Sequence, residues 1–281
     1  MDKEHSFNDL NGESVASKSY RYLQQQKEML GDLLFIEPNR KIMQTEVKIE
    51  TIQKNTVEEI RPTNISQIKE NNKFTMPQRT SDLMTGDTPE WMNAPSLPIL
   101  YQEIHTCLNC ALGTTRTNFV FGTGNPNADI MVIGEAPGAD EDAQGKPFVG
   151  AAGQLLTKIL AAIGIEREEV FIANIIKCRP PNNRRPEKSE TEQCEPYLMK
   201  QIELIQPKFI LAVGLTAANT LLKSENKMGE IRGKPIDFHG TTMIVTYHPA
   251  ALLRNPSWKQ ATWDDVQLLQ KMYVESKKNT K

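Results

Sequence analysis

Three side chains able to do chemistry stand where apolar runs end. Glu135 follows DIMVIG, Asn174 lies inside VFIANII, and His248 follows TMIVTY and precedes a proline. A carboxylate can position water or face a developing cation, and an imidazole can donate to an oxygen gaining negative charge. A primary amide carries donor and acceptor side by side, so it can read the polar edge of a base. Each residue also has an ordinary use: Glu135 in a helix cap or solvent, Asn174 bonded to a neighbouring loop, His248 bonded to backbone. Residue type alone leaves both uses open. The four cysteines are spaced Cys107-x2-Cys110 and Cys178-x15-Cys194. Such a set, with one CxxC pair in a chain expected to be cytosolic, reads as metal-binding before it reads as disulfides. Zinc and an iron–sulfur cluster use the same four thiolates, so ligand chemistry does not choose between them.

One stretch is locally basic. Lys177, Arg179, Arg184, Arg185 and Lys188 are accompanied by a single acid, Glu187. It is a candidate for contact with a nucleic-acid backbone, or an ordinary solvated loop. Gly134, Gly138, Gly145, Gly150 and Gly153 let the loop after DIMVIG approach a ligand closely. Neither GxxxxGK[ST] nor GxGxxG is met there, which argues against a nucleotide-phosphate cradle.

These residues need elements to position them. Asp129–Gly134, VFIANII, KFILAVG and TMIVTY read as short buried strands. Helical spacing appears in AAGQLLTKILAAIG, EKSETEQCEPYLMKQIELIQP, TAANTLLK and WKQATWDDVQLLQKMY. Alternating strands and helices predict an α/β fold, a three-layer α/β/α sandwich around a mostly parallel sheet of about four strands. In such sheets ligands bind at the carboxyl ends of strands. Glu135, Asn174 and His248 are therefore expected on one rim.

Residues 96–281 are expected to form this domain. Residues 1–95 are polar and Pro-interrupted, a composition that predicts a mostly disordered extension, with a possible helix near 18–36 that would dock on the domain or, in preference, on a partner protein. The net charge of −2 excludes a generally basic nucleic-acid binder, so DNA contact would come from local patches. Neither a membrane-spanning run nor a secretory signal is seen, and a cytoplasmic location is the expectation.

Taken together, GEAPG at 134–138, KPFVGAAGQLL at 146–156, NIIKCRPPNNRRP at 174–186 and HPAALLRNP at 248–256 resemble the blocks of the family 4 uracil-DNA glycosylases. The resemblance runs roughly from Leu100 to Met272 and includes the cysteine spacing. It implies a [4Fe–4S] cluster on Cys107, Cys110, Cys178 and Cys194. It further implies catalytic roles for Glu135 and His248. Uracil contacts would come from Ala136 (backbone), Phe148 (stacking), Asn174 (edge reading) and His248 (O2). Lys177, Arg179, Arg184, Arg185 and Arg254 would face DNA, with Leu252 and Leu253 in the wedge that fills the vacated stack. Where the superfamily's better-known branch has Asp, this chain has Glu135. The expected substrate is uracil-containing DNA, single- or double-stranded, handled by a monomer that starts base excision repair. A competing expectation is a non-catalytic iron–sulfur module that binds nucleic acid within a polymerase or repair assembly; an iron–sulfur electron carrier would explain the cysteines alone.

Overall fold

The computed structural model describes residues 89–279. The possible helix near 18–36 and the expected disorder before residue 89 lie outside the described residues. Residues 89–95, placed by the sequence in the extension, are among the described residues and pack on the domain. A 3-10 turn, Glu90–Asn93, sets Trp91 edge-on against Tyr197 with ring centroids 4.7 Å apart, and Ala94 is buried.

In chain order the elements are α1 (Leu97–Ile104), α2 (Leu112–Thr115), β1 (Thr123–Gly124), β2 (Ile130–Gly134), α3 (Ala139–Gln144) and α4 (Ala151–Ala162). They continue as β3 (Phe171–Asn174), α5 (Lys188–Ile205), β4 (Phe209–Val213), α6 (Leu215–Leu222) and α7 (Met228–Ile231). The last are β5 (Ile236–Phe238), β6 (Thr241–Thr246), α8 (Pro249–Arg254) and α9 (Lys259–Asn279).

The sheet has six strands, ordered β1-β3-β2-β4-β6-β5. Its parallel centre, β3-β2-β4-β6, corresponds to the four strands read from the sequence. The added edges, β1 and β5, run antiparallel and span two and three residues. They are too short for side-chain alternation to reveal them.

Central strands are buried on both faces, and the two-residue period divides their side chains between two cores. Met131, Ile133, Ala173, Ile210, Ala212 and Val245 face the layer of α1, α5 and α6, where Leu100, Leu198, Ile202 and Leu221 meet them. Ile130, Val132, Ile172, Leu211, Val213 and Ile244 face the layer of α4, α8 and α9, with Leu156, Leu160, Trp263 and Leu269. Each fully buried side chain of this size contributes about 1.5–3 kcal/mol. Gly134 pairs with Asn174 and Val213 with Thr246, so the carboxyl ends of the parallel strands finish level. The site grows from that rim.

Candidate active site

Glu135, Asn174 and His248 do converge. They line one cavity of about 690 Å³ together with Ala136, Phe148, Arg184, Arg185 and Arg254. Gly134 makes the convergence possible. A Cβ there would stand 2.5 Å from Asn174 Oδ1 and 2.6 Å from Phe148 Cζ. Only a residue without a side chain lets amide and ring close over the end of β2.

Phe148 is buried and adopts a left-handed backbone, φ +53°. Such a conformation costs a non-glycine residue about 1–2 kcal/mol and must be held by its surroundings. Glu141, on α3, holds it. Its Oε1 accepts the backbone N–H groups of Val149 and Gly150 at 3.0 and 3.1 Å, and its Oε2 accepts Gly138 N–H at 3.0 Å. The carboxylate therefore clamps both arms of the loop that carries the ring. The sequence reading did not single out Glu141, although the Gly138-x-x-Glu141 spacing is a helix-capping signal.

His248 caps α8. Ala250 N–H donates to its Nδ1 at 3.1 Å, and Pro249 occupies the first helical position. An accepting Nδ1 leaves the proton of the neutral ring on Nε2, so the ring is a donor. Burial against protein atoms, and secondarily the Arg254 charge, pull its pKa down to about 4. His248 is thus neutral at pH 7. Its ring lies 5.5 Å from that of Phe148.

Asn174 is 1% exposed, and its Oδ1 has no hydrogen-bond partner. A buried orphaned acceptor is destabilising by about 1–3 kcal/mol unless a ligand satisfies it. An unpaired acceptor, an aromatic platform and a neutral N–H donor therefore share one cavity. They suit a flat heterocycle with polar edges.

Other expected contacts fall differently. Leu252 is 1% exposed and belongs to the core. The segment after His248 is helical, and its one-sided turn buries Pro249 and Leu252 while Leu253 stays half exposed. This removes Leu252 from the wedge and leaves Leu253. Lys177 is fully buried, its ammonium bonded to Asn174 O and Gln201 Oε1, so it is no DNA-facing residue. Arg179 bonds Asn183, and Arg184 is forked onto Glu190 at 2.6 and 2.9 Å. Arg185 and Arg254 are exposed at the cavity mouth. Tyr247 and Trp258, stacked at 4.7 Å, also border it. No spacing in the sequence marked that pair.

The four cysteines are free thiols. Their sulfurs receive hydrogen bonds: Arg116 Nη1 to Cys178 at 3.1 Å, Lys177 N–H to Cys194 at 3.3 Å, and Tyr197 OH and Asn109 N–H to Cys107 at 3.3 and 3.4 Å. Burial pushes Cys194 up to about 12 and raises Cys178, so a cation must replace the protons before these groups ionise. Each feels others of the set, Cys178 the sulfurs of Cys110 and Cys107, and Cys194 those of Cys178 and Cys107. Among the described residues no three His, Cys, Asp or Glu side chains are grouped as a single metal ion would need. N–H donors aimed at sulfur, with Arg116 beside Cys178, fit an anionic thiolate-bound group.

A sequence profile of the Uracil DNA glycosylase superfamily matches residues 121–267, a span holding the whole cavity rim from Glu135 to Trp258. The chain belongs to this superfamily. The Type-4 uracil-DNA glycosylase of Pyrobaculum aerophilum is 46% identical over 166 residues, 56% of this chain and 85% of that protein. That of Sulfurisphaera tokodaii is 43% identical over 197 residues, 66% of this chain and 88% of its own length. That of Thermotoga maritima is 44% identical over 163 residues, 57% and 85%. These similarities put the chain in the type-4 branch of the superfamily.

Proposed function

We infer that this chain is a uracil-DNA glycosylase, which hydrolyses the N-glycosidic bond of deoxyuridine in DNA, releases uracil and leaves an abasic site. The observation that carries the reading is the orphaned Asn174 Oδ1, buried in the same cavity as the Phe148 ring and the neutral His248 donor.

Uracil must leave the helical stack before its glycosidic bond can be reached. Once extruded, the base stacks on Phe148. Asn174 accepts from uracil N3–H and donates to O4, the position where cytosine instead carries a donor. As the bond between C1′ and N1 breaks, electrons move into the base and the sugar takes on cation character. Nε2–H of His248 donates to O2, where the charge collects, and such a donor lowers the barrier by roughly 3–4 kcal/mol. The Glu135 carboxylate stabilises the sugar cation and accepts from the water that adds to C1′. Arg185 and Arg254 take phosphates at the mouth, and Leu253 enters the gap left by the base. The chain acts as a monomer on single- or double-stranded DNA.

Cys107, Cys110, Cys178 and Cys194 would hold a [4Fe–4S] cluster. Bound there, the group would crosslink the segment before α2, the loop after β3 and α5. Arg116 and the backbone N–H groups of Asn109 and Lys177 are the donors its thiolates need. Purified anaerobically, the chain should be brown and contain four irons; stoichiometric zinc without iron would refute the cluster.

The deciding assay is release of free uracil from an oligonucleotide with one deoxyuridine. Iron-replete protein that binds the oligonucleotide without releasing uracil would overturn the enzymatic reading in favour of a binding module.

A further inference from the structure

Lys177 is among the largest wholly buried side chains of the described residues, and the mechanism above does not use it. A lysine without solvent exposure is rare, because its ammonium must be bonded on all sides to offset the lost hydration. Here two acceptors hold it. Nζ donates to the backbone carbonyl of Asn174 at 2.9 Å and to Gln201 Oε1 at 2.6 Å. Gln201, itself buried, donates onward to Phe121 O at 2.9 Å. The backbone of Lys177 is also engaged: its carbonyl accepts Val120 N–H at 2.8 Å, and its N–H donates to Cys194 Sγ at 3.3 Å.

Topology explains why Asn174 needs this support. β1 pairs only with Phe171 and Ile172, so the last residue of β3 extends past the end of its edge partner. On the other side, Ile175 N–H still reaches Gly134 O at 2.9 Å. The Asn174 carbonyl is therefore left without a strand partner, and the ammonium takes that place. A neutral side chain of similar length would fill the volume and leave the carbonyl unbonded.

We propose that Lys177 is a positioning residue for base recognition. It pins the peptide that presents the Asn174 amide and registers that peptide against the cysteine centre through its own N–H. The inference rests on the reading of the cavity as a uracil site. Its consequence is selective: the base-reading edge should loosen while the exposed side chains assigned to DNA, Leu253 and Arg254 on α8 and Arg185 further along the loop from Lys177, stay as they are.

The test is Lys177→Met in the full chain, compared with wild type in three measurements: affinity for free uracil, affinity for uracil-free duplex, and iron content. The expected result is at least a tenfold loss of uracil affinity, with a matching fall in single-turnover rate. Duplex affinity and iron content should hold. Unchanged uracil affinity in a folded variant that binds duplex normally would overturn the inference. Should Lys177→Met fail to fold, Gln201→Leu decides, since it removes one of the two holders of Nζ and leaves Lys177 in place. A smaller loss of uracil affinity in that variant supports the assignment, and an unchanged value refutes it. Failure of both variants to fold would also refute it, by making the tether a support of the core at large. Wild type that neither binds nor releases uracil would refute the functional reading and the inference with it. Wild type that binds uracil beside an unimpaired variant refutes the inference alone.

Discussion

Replacing His248 by alanine removes one Nε2–H donor from the cavity and one acceptor from the first turn of α8. The two losses have separate signatures. A preorganised donor to a developing anion is worth roughly 2.7–4 kcal/mol, so single-turnover uracil release should fall about 10²–10³-fold while DNA binding changes little. The lost cap should lower stability at pH 7 by about 1 kcal/mol. The pH dependence provides an internal check. In the folded chain His248 titrates near 4, against an ordinary value of 6.5, so the native state resists the proton that the unfolded chain accepts. Stability from this source is complete above pH 6.5 and is lost as pH falls from 6.5 to about 4. The full gap corresponds to at most about 3 kcal/mol, less after allowance for the ring's opening towards the cavity. Thermal midpoints of wild type and His248→Ala should therefore converge on acidification through this window and cross near its lower end, since the variant has no imidazole to protonate. The wild-type rate should not decline with an apparent pKa near 6.5. A decline there would mean that the imidazole is not held neutral, and an equal loss of binding and rate would make His248 a positioning group.

Three further outcomes are expected. Gly134→Ala drives a Cβ against Asn174 Oδ1 and the Phe148 ring, and should cost about 1–3 kcal/mol of stability with a large loss of uracil affinity. Denaturant unfolding and calorimetry with free uracil measure both, and unaltered affinity would show that the two side chains need not close together. Asn174→Asp should slow uracil release by roughly 10²-fold or more and give measurable excision of cytosine, because a carboxylate accepts from the amino group that cytosine carries; unchanged selectivity on paired oligonucleotides would remove Asn174 from base reading. A chain beginning at residue 89 should match the full chain in iron content, thermal midpoint and uracil release, whereas one beginning at residue 96 loses the Trp91–Tyr197 contact and about 0.5–1.5 kcal/mol with it. Equal midpoints for the two shortened chains would show that the Glu90–Asn93 turn adds nothing.

Much of this architecture was legible because buried parallel strands advertise themselves. Ile130–Gly134 and Phe209–Val213 are apolar throughout, and each is followed by a change of period that marks a helix. The level strand ends then brought Glu135, Asn174 and His248 together by topology alone. Less legible were features that depend on how a loop closes. Glu141 matters through three backbone N–H groups from two separated segments, and a carboxylate in ADEDAQ looks like any exposed helical acid. The strained backbone of Phe148 had no separate signal, because the residue that relieves the crowding, Gly153, is one glycine among several in that loop. A Cβ on Gly153 would stand 1.9 Å from Phe148 O.

Lys177 and Leu252 were misplaced for the same physical reason. Both lie beside functional residues in sequence, and adjacency alone points their side chains to the surface that those neighbours serve. Direction, however, is set by the backbone. Past Asn174 the chain leaves the sheet towards α5, and the Lys177 stem turns inward to Gln201 on that helix. Past His248 the chain coils at once into α8, and the spacing from Pro249 to Leu252 buries one face and leaves Leu253 outside. In both places the sequence shows the charge or apolar character of the residue and not its surroundings. For Leu252 the consequence is only an added core contact. For Lys177 it is larger, because an ammonium carried into the interior needs acceptors, and the acceptor it found is the carbonyl of the residue assigned to read the base. The same peptide thus presents an amide to the cavity on one side and receives a cation on the other, which is why substitution of a lysine far from solvent should register in the recognition of uracil.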